Sequence, residues 1–252
     1  MIYLLSILTY KLTDKWASNT FVKVTYRVGS FLTLYSLAII SIVPVMARIL
    51  GRVPLPLTET NNVQPLNIMT CLLNRNYVRS ELKQTVFDVA KNINAKFPGT
   101  TINYLDANFP FINKFPLIPH LSHNDGKKLD LSFCYRDQKT GEPTNDCPSF
   151  FGYGVCEGPL QQESNMPAIC ADRGYWQYSF LTKVISQKDK QNFTFDSDKT
   201  KVLINLLAKQ QTIGKIFIEP HLKTRLQLTT DKIRFHGCQA VRHDDHIHVQ
   251  LK

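Results

Sequence analysis

The chain has 252 residues, a formal net charge of +10 and an isoelectric point near 9.3. Its 43% hydrophobic content, with 11 glycines and 13 prolines, excludes a disordered or collagen-like chain. The basic residues form no run interleaved with aromatics, so a nucleic-acid partner is not expected, whereas a basic surface suits an anionic polymer or lipid head groups.

In chain order, the apolar run Met1 to Tyr10 is too brief to cross a bilayer. Gly29 to Met46 is an uncharged stretch of 18 residues, just long enough for the hydrocarbon core, and it reads as a single transmembrane helix that tolerates Pro44. Lys11, Lys15, Lys23 and Arg27 precede it, against Arg48 and Arg52 after it, so the positive-inside tendency keeps residues 1–28 in the cytoplasm and the rest outside. A cleaved signal is the competing reading, but the leader ahead of the apolar core is long and no small-x-small site follows Met46. Residues 47–65, with Pro54, Pro56 and Asn61-Asn62, read as a linker and tether.

Residues 66–252 are enough for one domain with its own core. Ser80 is placed to cap a helix to about Lys96, with Leu82, Val86, Val89, Ala90 and Ile93 at helical spacing. Strands are expected at Thr101 to Leu105, Leu129 to Tyr135, Lys215 to Glu219 and His246 to Leu251, and a second helix at Lys199 to Lys209 capped by Ser197 or Asp198. The last strand should pair antiparallel beside the one bearing Asp130. The expected fold is α+β, a central antiparallel sheet carrying the site and flanked by helices. Gly141 to Arg173 is the least regular stretch, placed to wall a groove, and the aromatics Tyr175, Trp176, Tyr178 and Phe180 after it read as core, with contact to a peptide stem or a sugar as the alternative. Six cysteines, none in a Cys-x-x-Cys pair, favour disulfides in an oxidising compartment.

Two segments carry the chemistry, Ser122-His123-Asn124-Asp125-Gly126-Lys127-Lys128-Leu129-Asp130 and His243-Asp244-Asp245-His246-Ile247-His248. Hydrolytic zinc takes three protein ligands from His and Asp or Glu and leaves a position to water, so the two read as one divided zinc site. In a strand, His246 and His248 project from one face. A lone His beside a carboxylate is usually just hydrogen-bonded, and the joint pattern is what points to metal. His120, His221 and His236 fall outside it, His120 in a solvated loop.

These segments resemble the zinc peptidases that include lysostaphin, the D-Ala-D-Ala peptidases and the hedgehog signalling domain, and in particular the penicillin-insensitive murein endopeptidases. Lys215-Ile216-Phe217-Ile218-Glu219-Pro220 and Arg242 to Val249 stand where that family has an apolar strand ending in Asn or Glu and Pro, then His-Asp-x-His-x-His-Val. The resemblance spans about Thr101 to Lys252. It implies that His123, Asp130 and His248 bind Zn2+ and that His246 and His243 are catalytic, His243 as base and His246 as donor to the oxyanion, or the reverse. Asp244 and Asp245 would orient the imidazoles. The implied activity is a zinc-dependent endopeptidase acting on peptidoglycan peptide stems, at a D-alanyl to meso-diaminopimelyl bond, from the inner membrane into the periplasm. A carboxypeptidase or dipeptidase of the same fold, or a non-catalytic zinc-binding module, is the alternative. The family's soluble members lack the anchor helix, and Lys127-Lys128-Leu129 replaces the usual small and acidic residues before the ligand Asp, which bears on substrate choice.

Overall fold

A computed structural model of the protein describes residues 2–16, 19–118 and 120–252; Met1, Ala17 and Ser18, within the expected cytoplasmic segment, and Pro119 lie outside it. The chain divides into two units, Met1–Gly51 and Arg52–Lys252.

In the first unit, Ile2–Trp16 packs on Thr20–Leu37, with Arg27 donating to Asp14 at 2.7 Å. Thr20–Ile49 is the one helix among the described residues long and apolar enough to cross a membrane, a test that a signal sequence also passes. It extends beyond the expected 29–46 at both ends. Its ladder widens to π spacing over Ala38–Ile42, just ahead of Pro44, whose missing N–H would otherwise break the α register.

The second unit is built on a six-stranded sheet in the order Ile233–Arg234, Ile213–Phe217, His246–Leu251, Lys128–Ser132, Ile102–Asp106, Val63–Pro65. The inner contacts are antiparallel, but both edge strands pair in parallel, so the sheet is mixed rather than the expected central antiparallel one. The Asp130 and C-terminal strands pair as expected, with His248 opposite Asp130 and His246 opposite Ser132.

Of the expected linker 47–65, residues 52–65 belong to this fold, while residues 47–49 end the long helix of the first unit. Val53–Pro54 pairs with Tyr77–Val78, and Val63–Pro65 forms a sheet edge, where a proline lacking its N–H does no harm. The strand expected to run on to Tyr135 instead ends at Ser132, and Tyr135–Asp137 joins a separate sheet between Pro143–Thr144 and Phe193–Phe195.

Period-2 alternation sorts the main sheet into two faces. Leu129, Leu131, Ile247, Val249 and Ile216 enter the core, where they join Leu82, Val86, Val89 and Ile93 of the Ser80–Lys96 helix and Leu203, Ile204 and Leu207 of Ser197–Lys209. The second helix is capped by Asp196, which accepts from Lys199 N at 3.0 Å, one residue earlier than expected. Both helices consume apolar positions on one face. Asp130, His246 and His248 alternate onto the other, and the site forms there.

Candidate metal centre

His123 arrives on the loop between Asp106 and Lys128, which is fastened from beneath. The buried Arg52 guanidinium donates to Phe109 O, to Ile112 O at 3.3 Å, to Asn113 Oδ1 at 2.6 Å and to Asn124 O at 3.4 Å. The loop turns at Gly126, where φ is +82° and an added Cβ would lie 3.1 Å from Arg52 Nε.

At its end, His123 Nδ1 lies 2.9 Å from Ala107 O. A carbonyl only accepts, so Nδ1 carries the hydrogen, and in the neutral ring Nε2 is a bare lone pair. That atom faces Asp130 Oδ1 at 3.2 Å and His248 Nδ1 at 3.2 Å, while His248 Nδ1 and Asp130 Oδ1 are 2.8 Å apart. A lone pair aimed at a carboxylate is repulsive without a cation between them. All three residues are buried.

Asp130 turns its other oxygen elsewhere. Tyr153 donates to Oδ2 at 2.8 Å, and His120 Nδ1 sits 2.8 Å from Oδ2 and 3.4 Å from Asp106 Oδ2 without the alignment of a hydrogen bond. Ligand atoms of His120, His123 and Asp130 lie within 4.8 Å of one another, so this buried group could hold a metal ion. His120, expected in solvent, is 5% exposed. Its cause lies in distant residues: Asp106 holds it from the neighbouring strand, and Arg75 in turn donates to Asp106 Oδ1 at 2.8 Å. The spacing His120-x-x-His123 was the available signal; Tyr153 and Asp106 had none.

Electrostatics follow the same crowding. Burial opposes ionisation of Asp130, yet the surrounding imidazoles outweigh it and hold the carboxyl well below its usual range. Burial also works against a charged His120, but Asp130 and Asp106 prevail and push it up to about 10. His248 is pulled down to about 4 by burial, with Asp130 in partial opposition. Burial together with His246 and His248 drives His243 well below the ordinary histidine value.

The second segment reaches the site on the loop before the last strand. Glu219 holds that loop by accepting from His243 N at 3.1 Å and from Tyr178 Oη at 2.5 Å. Burial and Asp244 raise its carboxyl to about 7, against those two hydrogen bonds. Of the two aspartates expected to orient imidazoles, Asp245 does so, 2.5 Å from His246 Nδ1 and itself accepting from Gly154 N at 2.6 Å. Asp244 does not: it pairs with Arg242 at 2.9 Å, with His221 Nε2 3.5 Å away. His246 Nε2 lacks a hydrogen-bond partner and lies 3.8 Å from Asp130 Oδ1.

A cavity of about 570 Å³ opens on this centre, lined by His120, Asp130, His243, His246, His248 and also His236. Gly141 to Arg173 packs beside it, as Tyr153 and Gly154 attest. The aromatic run is not all core. Tyr178 is buried, but Trp176, in the same 3-10 turn Trp176–Ser179, and Phe180, which opens the helix after it, are exposed on the cavity wall.

The cysteines also depart from expectation. Cys170 and Cys238 form a disulfide, whereas Cys71, Cys134, Cys147 and Cys156 are free thiols. Cys71 packs in the core, its Sγ 3.1 Å from Tyr104 Oη. No protein-family model and no curated protein sequence matches the chain.

Proposed function

We propose that this protein is a membrane-anchored, zinc-dependent peptidase that cleaves peptide cross-links of peptidoglycan at a D-alanyl to meso-diaminopimelyl type of amide. The supporting observation is the triangle of His123 Nε2, Asp130 Oδ1 and His248 Nδ1, with edges of 2.8 to 3.2 Å, on the wall of a cavity that also exposes His246. Tetrahedral zinc with bonds of about 2.0 to 2.2 Å needs donor atoms about 3.3 Å apart, and two imidazoles with one carboxylate are a usual hydrolytic set. The fit extends to the partners behind: Ala107 O fixes the His123 tautomer, and Tyr153 and His120 engage the Asp130 oxygen left over.

Zinc held there would bring the pKa of water toward neutrality and polarise the scissile carbonyl. His246 is suited to receive the proton and return it to the leaving amine, since its Nδ1–H points to Asp245 and its Nε2 toward the centre. The His243 imidazole has no carboxylate partner among the described residues and lines the same cavity, so it suits donation to the developing oxyanion. This division reverses the first of the two orders considered from spacing. Of the candidate span, the proposal takes the N-terminus as cytoplasmic and Arg52–Lys252 as facing the periplasm.

The test is a split between two variants of the full chain. His123→Ala should lose bound zinc and activity together. His246→Ala should keep one zinc while cleavage falls by about 10²- to 10⁴-fold. Full activity in the His246 variant would remove the assigned base, and full zinc content in the His123 variant would remove the centre.

A further inference from the structure

We propose that the cleft selects a peptide whose residue beside the scissile bond is uncharged, seated against an apolar wall of Trp176 and Phe180 faced by Ile118 and Leu121. The inference rests on the peptidase reading of the metal centre and names the class of residue that centre accepts.

Trp176, Phe180, Ile118 and Leu121 are exposed to 69, 45, 76 and 58%. All four line the cavity that holds His246. Large apolar side chains left in water inside one concavity are not needed for core formation, and they mark a surface that binds something. Trp176 and Phe180 meet edge-on with ring centroids 5.8 Å apart, which makes a preformed aromatic wall. Gln177 and Gln239 continue the lining with neutral amides.

Charge decides what that wall accepts. Among the described residues lining the cleft there is no Lys or Arg; the imidazole of His120 is already faced by the carboxylates of Asp130 and Asp106, and Asp130 belongs to the metal centre. Lys215 acts on His236 from outside the lining, and Arg242 is committed to Asp244. A substrate carboxylate seated against Trp176 would give up water and gain no Lys or Arg partner. A carboxamide or an apolar side chain carries no such penalty. The cleft therefore suits a neutral, amidated stem residue, and it disfavours a free C-terminal carboxylate next to the bond, which argues for cutting within a chain rather than trimming its end.

The chain has two tryptophans, so Trp16→Phe leaves Trp176 as the sole fluorescent reporter. The probes are matched synthetic cross-linked dimers, with either a carboxamide or a carboxylate on the residue that supplies the scissile nitrogen. In the metal-stripped full chain, the carboxamide dimer should change Trp176 emission with a Kd about tenfold tighter than its carboxylate twin. In the zinc-loaded protein, kcat/KM should favour the carboxamide by a similar factor. Trp176→Ala should raise KM about fivefold with kcat nearly unchanged, and Phe180→Arg should invert the preference. Equal affinities, or a tighter carboxylate, would overturn the proposal, as would normal cleavage without any Trp176 response. A selective Trp176 response with neither dimer cut would support the subsite and overturn the peptidase reading instead.

Discussion

Glu219→Gln offers a quantitative test of how the catalytic loop is held. Glu219 is fully buried beneath His243, and burial with the neighbouring Asp244 lifts its carboxyl from 4.5 to about 7. An acid whose pKa is higher folded than unfolded binds its proton more tightly in the folded state. Its contribution to stability is therefore greatest below about pH 4.5, falls as pH rises to about 7, and stays flat above that. At about 1.4 kcal/mol per pH unit, the full loss is about 3 kcal/mol. Gln cannot ionise, so the variant should lack this slope. Its single carbonyl oxygen replaces two acceptors that now serve His243 N and Tyr178 Oη, a pH-independent cost of about 1 kcal/mol. The two curves should cross: the variant is less stable by about 1 kcal/mol at acid pH and more stable by about 2 kcal/mol above pH 8. Urea unfolding of full chain and variant in the same detergent, at intervals from pH 4.5 to 8.5, measures the difference, in which titrations common to both cancel. Parallel curves would refute the reasoning.

Three further outcomes follow from the same structure. Opening Cys170–Cys238 by a double serine substitution frees a closed loop with a sequence separation of 68, worth about 4 kcal/mol by chain entropy, and calorimetry should register the loss without loss of bound zinc. Gly152→Ala places a Cβ 2.3 Å from Leu105 Cδ2 at a φ of +80°, which should cost about 2 kcal/mol or more and displace Tyr153 from Asp130, read as a fall in zinc affinity. Arg52→Ala removes the donor that ties Phe109 O, Ile112 O and Asn124 O of the His123 loop together, so competition titration should find zinc held about tenfold more weakly or worse; unchanged affinity would mean that the loop holds its shape without the guanidinium.

What was legible in the sequence was local and periodic. Leu129-Asp130-Leu131 and His246-Ile247-His248 alternate, and alternation alone predicts core on one face and chemistry on the other. The helices at Ser80–Lys96 and Ser197–Lys209 were legible for the same reason. Residues whose environment comes from far along the chain were not. Val63–Pro65 resembles a tether because Pro is rare in strands, yet an edge position removes the objection. His120 is buried against Asp130, Asp106 and Tyr153, none of which its own segment announces. Cysteine number constrains parity but not pairing, and here four remain thiols. Composition favours core over ligand contact for the aromatic run and does not divide it, whereas the 3-10 turn sends Tyr178 inward and Trp176 out.

The most direct measurement is mass spectrometry of the soluble products when the zinc-loaded full chain digests purified peptidoglycan, with and without a chelator. The account predicts that cross-linked muropeptide dimers become monomers, that chelation stops this, and that added zinc restores it. Protein carrying one zinc that leaves the dimers intact, or cleavage indifferent to the chelator, would contradict it.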